Sequence, residues 1–238
     1  MKNIYQEILD SKKKNKKLLA ILIDPDKVQF EKLDKLIEKI NQSFATHIFV
    51  GGSLVETNQI DVIIQKIKQN CKLPILLFPG SPSQISKNAD GILFLNLISG
   101  RNPDYLIEHQ VNAIPILEKT ALEVISTGYV LIESGKETAV ERVSQTKPID
   151  RNKIDYVCQT VKAGEYMGNK LIYLEAGSGA EKAVPLEMIE AVSKKIAIPL
   201  IVGGGIRSKV EIENAFKAGA DLVVIGTAFE DNPNFFEA

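Results

Sequence analysis

The chain has 238 residues, with 29 lysines and arginines against 30 aspartates and glutamates, and two cysteines. A net charge of −1 argues against the broad basic field on which nucleic-acid binding relies, and 45% hydrophobic with 25% charged residues excludes a disordered chain. The longest apolar run, Leu18 to Ile23, is far shorter than the ~20 residues that span a bilayer. No basic start followed by an apolar stretch and a small-residue cleavage site marks a secretory leader. Cys71 and Cys158 are too few for a disulfide scaffold and have no neighbour at metal-binding spacing. A reducing cytoplasm is the expected setting.

The segment Ile4 to Leu9 opens the chain as a short apolar element that plugs the bottom of the fold or flanks it. Lys12, Lys13, Lys14, Lys16 and Lys17 follow. They read as a solvated helix end or loop, or as a basic patch giving peripheral contact with an anionic membrane or a diphosphate. Eight apolar runs come next: Leu18–Ile23, His47–Val50, Pro74–Phe78, Gly91–Leu95, Gly128–Ile132, Leu171–Leu174, Pro199–Val202 and Asp221–Ile225. Each is continuous rather than alternating, as in strands of a parallel sheet covered on both faces. Helical spacing separates most of them, at Leu33, Leu36, Ile37 and Ile40, at Val62, Ile63 and Ile67, at Leu186, Ile189, Val192 and Ile196, and roughly at Val210, Ile212, Phe216 and Ala218.

Eight units of roughly 30 residues predict a (β/α)8 TIM barrel, a fold of ~250 residues, in one domain over residues 1–238. An open doubly wound sheet is the alternative. Ala113–Leu117 would make a ninth run; it is assigned to a helix from about Asp104 to Glu123, kinked by Pro115. The interval Gly80 to Ala89 is short for a helix, so a loop replaces the helix after strand 3. Residues 228–238 are too few for a full closing helix. Apolar helix faces left exposed would be compatible with a homo-oligomer.

Barrel chemistry sits at the C-terminal ends of the strands, often with a phosphate site after strands 7 and 8. Three of those ends are rich in glycine: Tyr173-Leu174-Glu175-Ala176-Gly177-Ser178-Gly179, Gly203-Gly204-Gly205 and Gly226-Thr227. Glycine lets backbone N–H groups approach an anion closely, so Gly204, Gly205, Gly226 and Thr227, with Ser178 and Gly179, form a candidate phosphate cradle. Tight turns without a ligand would use the same residues. Gly203-Gly204-Gly205-Ile206-Arg207-Ser208 lacks the third glycine of a dinucleotide fingerprint and lies late in the chain.

Asp24 closes the first strand at the rim. Its carboxylate suits magnesium, which takes few protein ligands and several substrate oxygens; capping the next helix is the other use. Asp26 fits the cap better. Ser53 is a second oxygen contact or a cap. Glu175, beside the cradle, could hold or deprotonate a substrate hydroxyl, or make a structural ion pair. His47 and His109 lack partners for a triad or a metal cluster, and both cysteines look structural. No DDxxD-type aspartate pair is present, which excludes the usual all-helical isoprenoid synthases.

The succession Leu22-Ile23-Asp24-Pro25-Asp26-Lys27, Val50-Gly51-Gly52-Ser53, Phe78-Pro79-Gly80-Ser81, Tyr173 to Gly179, Val202-Gly203-Gly204-Gly205-Ile206 and Ile225-Gly226-Thr227 resembles the geranylgeranylglyceryl phosphate synthase family over almost the whole chain. The Tyr173–Gly179 segment is its most specific part. The resemblance implies a magnesium-dependent prenyltransferase that joins the C3 hydroxyl of sn-glycerol 1-phosphate to a geranylgeranyl group taken from its diphosphate, in ether phospholipid biosynthesis. It implies magnesium at Asp24 and Ser53. It implies glycerol phosphate at Tyr173, Leu174, Glu175, Ala176, Gly177, Ser178, Gly179, Gly204, Gly205, Gly226 and Thr227. In that chemistry Asp24 serves the departing diphosphate, Glu175 receives the hydroxyl proton and Tyr173 positions the glycerol. Ile98, Tyr105, Leu106 and Tyr129 are candidates to line a tail groove, with Tyr105 limiting tail length. A longer heptaprenyl donor, a different phosphate-binding barrel enzyme and a non-catalytic phosphate sensor are the alternatives.

Overall fold

The computed structural model describes residues 3–55, 59–232 and 235–236. Eight parallel strands close into a barrel in sequence order: β1 Leu18–Ile23, β2 His47–Val50, β3 Ile75–Leu77, β4 Gly91–Leu97, β5 Glu123–Leu131, β6 Leu171–Glu175, β7 Leu200–Gly203 and β8 Leu222–Ile225. The seam is the β1–β8 pairing, with Ile21 beside Ile225. This is the (β/α)8 barrel that the eight continuous runs predict, and the open sheet is excluded by the seam.

The strand runs are continuous because both faces are covered. Leu19, Ile21 and Ile23 of β1, with Ile172 and Leu174 of β6, join the layer between barrel and helices. Leu18 and Ala20, with Leu171 and Tyr173, fill the barrel interior. The outer layer is completed by α2 Leu33–Gln42, α3 Ile60–Asn70, α6 Ile154–Tyr166, α7 Leu186–Lys195 and α8 Lys209–Ala218. No helix among the described residues is long and apolar enough to cross a membrane.

The first helix, α1 Ile4–Lys13, plugs the bottom. Ile4 and Ile8 are fully buried among the interior residues of the strand starts. Glu123, at the first position of β5, accepts the otherwise orphaned N–H groups of Ile4 at 2.5 Å and Tyr5 at 3.0 Å. Lys12 pairs with Asp221 at 2.8 Å, and Lys17 donates to the Ala220 carbonyl, both just before β8. The lysine run therefore lies at the end of the barrel away from the C-terminal strand ends. That position favours the solvated helix end over direct contact with a substrate diphosphate.

After β3 a single 3-10 turn, Pro82–Gln84, stands where a helix would, as the short interval predicts. The next connection differs from expectation. A π turn at Asp104–Glu108 leads into α4 His109–Leu117, with Pro115 inside it, and the helix stops there rather than at Glu123. Glu123 to Thr127 belong to β5 instead. Val124 is 40% exposed, so the first half of β5 lacks the helix cover that makes the other strands continuous. His47 is buried at the start of β2, its Nδ1 at 2.8 Å from the Thr46 hydroxyl, and burial pushes its pKa down to about 4. Cys71 caps α3 and Cys158 lies in α6; both are free thiols.

Candidate active site

The C-terminal ends of the strands open into one cavity of about 580 Å³. Asp24 after β1, Ser53 after β2, Tyr173 and Glu175 of β6, Gly204 and Gly205 after β7 and Gly226 and Thr227 after β8 all line it. Gly177, Ser178 and Gly179 form its wall on the β6 side. The glycine-rich ends, far apart in sequence, thus converge opposite an acidic rim.

The inward placement of Tyr173 and Glu175 follows from strand alternation. Tyr173 sits beside Tyr129 of β5, and Glu175 beside Gly203 of β7. Leu174 faces the other way, into the layer under the helices, and Ala176 is buried in that same layer. Their side chains do not reach the cavity, so the segment offers Tyr173, Glu175 and the Gly177–Gly179 turn.

Glu175 is 5% exposed, and Gly177 donates its N–H to Oε1 at 2.6 Å. Burial raises the carboxyl pKa to about 7, opposed by the Gly177 N–H and the nearby Tyr173 hydroxyl. That value suits a group that exchanges a proton near neutrality. The Tyr173 hydroxyl is buried and has no partner at hydrogen-bond geometry among the described residues. Burial first, and then the Glu175 charge, push its pKa well up, so it stays a neutral donor. Gly204 is required where it stands. Its φ is +83°, and a β carbon on it would lie 2.3 Å from Glu175 Oε1 and 2.5 Å from the Gly177 nitrogen.

Two hydroxyls face each other across the glycine-rich ends. Ser178 Oγ lies 3.5 Å from Thr227 Oγ1, and α9 Thr227–Asp231 begins at that threonine. Lys27 Nζ donates to Ser178 Oγ at 3.1 Å and pairs with Asp24 Oδ2 at 3.4 Å, spanning cradle and rim. Asp24 Oδ1 accepts the Asp26 N–H at 3.1 Å, a local Asx turn rather than a helix cap. Asp26 itself is exposed and outside the lining.

A second, apolar groove adjoins this cavity and shares Gly52, Ser53, Phe78, Tyr129 and Val140 with it, the last from α5 Ala139–Ser144. Tyr105, Leu93, Leu97 and Ala113 extend it. Phe78 stacks on Tyr173 with centroids 5.2 Å apart, and Tyr129 meets Tyr173 edge-on at 5.3 Å, so an aromatic cluster stands where groove and cavity meet. Tyr105 donates to the Val143 carbonyl at 3.1 Å, which fixes its ring in the groove, and His109 packs against it. Of the proposed tail-lining residues, Tyr105 and Tyr129 are in the groove. Ile98 is packed in the layer under the helices, beside Gly128 and Gly164, and Leu106 is outside the lining.

Sequence reasoning missed Lys27, Arg207, Phe78 and Phe235 as lining residues. Lys27, Phe78 and Arg207 each belong to a strand-end segment already singled out; Phe235 carried no comparable signal.

Residues 11–238 match the PcrB family. The chain belongs to that family. Relatives named geranylgeranylglyceryl phosphate synthase include one from Flavobacterium johnsoniae, 63% identical across 99% of this chain and 97% of the relative. Another, from Pyrococcus furiosus, is 42% identical across 98% of this chain and 92% of its own length. Among solved structures, (S)-3-O-geranylgeranylglyceryl phosphate synthase from Thermoplasma acidophilum, in complex with its substrate sn-glycerol-1-phosphate, superposes with a TM-score of 0.93 at 32% identity. That match covers 100% of this chain and 96% of the other. A tryptophan synthase α-subunit from Pyrococcus furiosus, 13% identical with a TM-score of 0.59 over 90% of this chain and 88% of that one, shares the fold alone.

Proposed function

We infer that this PcrB-family chain is a prenyltransferase that joins the C3 hydroxyl of sn-glycerol 1-phosphate to a geranylgeranyl group taken from geranylgeranyl diphosphate. The observation that carries this reading is the junction of the two cavities. A phosphate cradle, the buried Glu175 carboxyl and the unpartnered Tyr173 hydroxyl stand on one side of Phe78 and Tyr129, and an apolar groove stands on the other. The relatives' names and the substrate held by the Thermoplasma acidophilum protein point the same way.

The acceptor phosphate takes the N–H groups and hydroxyls of Gly177–Gly179, Gly204, Gly205, Gly226 and Thr227. Tyr173 donates to the glycerol, and Glu175 orients the attacking hydroxyl and receives its proton. The prenyl tail lies in the groove, so its first carbon passes Tyr129 and Phe78 on the way to the acceptor.

The donor set fits magnesium: Asp24 offers a carboxylate in the cavity, and Ser53 a hydroxyl from the neighbouring strand end. Magnesium held there would draw its remaining oxygens from substrate. Bound there, it would neutralise the departing diphosphate as a Lewis acid.

The test is incubation with sn-glycerol 1-phosphate, magnesium chloride and prenyl diphosphates of increasing length, followed by product mass. Geranylgeranylglyceryl phosphate is expected to dominate, because Tyr105 stands in the groove. A dominant heptaprenyl product would reassign the donor, and phosphate binding without any ether product would make the chain a sensor.

A further inference from the structure

Four charged side chains line the cavity among the described residues: Asp24, Lys27, Glu175 and Arg207. Arg207 is committed to the scaffold, since Nη2 donates to the Ala180 carbonyl at 2.7 Å and its backbone N–H to Glu211. Lys27 is placed differently. Its side chain is 45% exposed, and its ammonium bridges the acidic rim at Asp24 and the cradle at Ser178. Ser178 in turn faces Thr227, so an anion accepting from both hydroxyls lies within reach of Nζ. A cation arriving at Asp24 repels the ammonium, and an anion arriving at Ser178 attracts it. Both events drive the same movement.

We propose that Lys27 is a phosphate-binding residue that couples the two halves of the site, passing from Asp24 to the acceptor phosphate when a divalent cation takes the carboxylate. The proposal rests on sn-glycerol 1-phosphate being the acceptor. A metal ion and the acceptor then each strengthen the binding of the other through a single side chain, as linkage requires.

Calorimetric titration of the full chain with sn-glycerol 1-phosphate, in chelator and in magnesium chloride at fixed ionic strength, reads this coupling without turnover. In the unaltered chain magnesium is expected to tighten binding about tenfold, within the usual range for site-to-site coupling. Lys27→Met should bind about tenfold more weakly with magnesium present and lose most of the gain, while Lys27→Arg keeps both. Unchanged affinity in Lys27→Met, or a full magnesium gain in it, overturns the coupling alone. No binding by the unaltered chain overturns the acceptor assignment and the coupling with it.

Discussion

Both ends of the barrel hold carboxylates against backbone N–H groups, and they treat them in opposite ways. At the lower end Glu123 accepts two backbone N–H groups from α1, and Asp221 takes Lys12 and the Leu200 N–H. At the upper end Glu175 has one N–H, from Gly177, and a tyrosine hydroxyl that has no partner of its own among the described residues. A carboxylate satisfied on several sides is a fastener. One buried with a single backbone donor, and so starved of partners, has its pKa lifted to about 7 and can take a proton from a substrate. The same residue type is made structural or reactive first by how deeply the fold buries it and then by how many donors the fold brings to it.

The largest effects should come from the starved end. Glu175→Gln keeps the shape and the Gly177 contact but cannot receive a proton, so kcat should fall by about 10²–10⁴ with the melting temperature held or raised. Wild-type kinetics in that variant would move the base elsewhere. Carbon-13 titration of the Glu175 carboxyl in the unliganded chain should give a midpoint near 7. The sign is that of a raised acid: Glu175 is an active base above its midpoint and is idle below it. Asp24→Asn should remove most turnover without unfolding the chain, and full activity with magnesium present would cancel the metal role.

The fastened end should answer with stability instead. Ile8 is fully buried beneath the strand starts, and Ile8→Ala should cost about 2–5 kcal/mol on denaturant unfolding. The kcat should stay at the wild-type value, because α1 packs at the strand starts and the cavity opens at the strand ends. A matching fall in kcat would show that the plug tunes the site through the barrel.

The side wall of the groove is intermediate. Tyr105→Ala opens the space that the ring now fills, and the preference between geranylgeranyl and longer diphosphates should shift by about tenfold in kcat/KM, in line with 1–3 kcal/mol per misfitted apolar group. An unchanged product ladder would dismiss Tyr105 as the limit.

The upper end was far more legible in the sequence than the groove. Strand ends are marked by a change of residue type, from Ile and Val to Gly, Asp and Ser, so Asp24, Glu175 and the cradle glycines could be named without coordinates. The groove is made of apolar residues indistinguishable by type from core. Ile98 and Tyr129 look equally suitable, and only strand alternation and the covering helix separate the one in the layer from the one in the groove. Likewise Leu174 and Ala176 belong to the marked segment, yet the pleat turns them away. The first half of β5 was hidden because its outer face is uncovered and its pattern alternates, which a search for continuous apolar runs passes over. Lys27 was hidden for another reason: its role depends on Ser178, 151 residues away, and no local pattern reports such a meeting.

The lysine run at the lower end gives the smallest effect and the sharpest check on the division. Lys12 and Lys17 are tied to Asp221 and Ala220, which leaves Lys13, Lys14 and Lys16 as its exposed members. If the two ends are independent, replacing those three with glutamine changes KM for both substrates by no more than about twofold, the usual reach of a surface substitution of ~0.5 kcal/mol. Long-range attraction would instead raise KM for the diphosphate at low salt and lose that effect at high salt, since exposed charges are screened over ~10 Å at 0.1 M. A flat response at both salt concentrations assigns anion capture to the upper end, where Lys27 and the cradle stand.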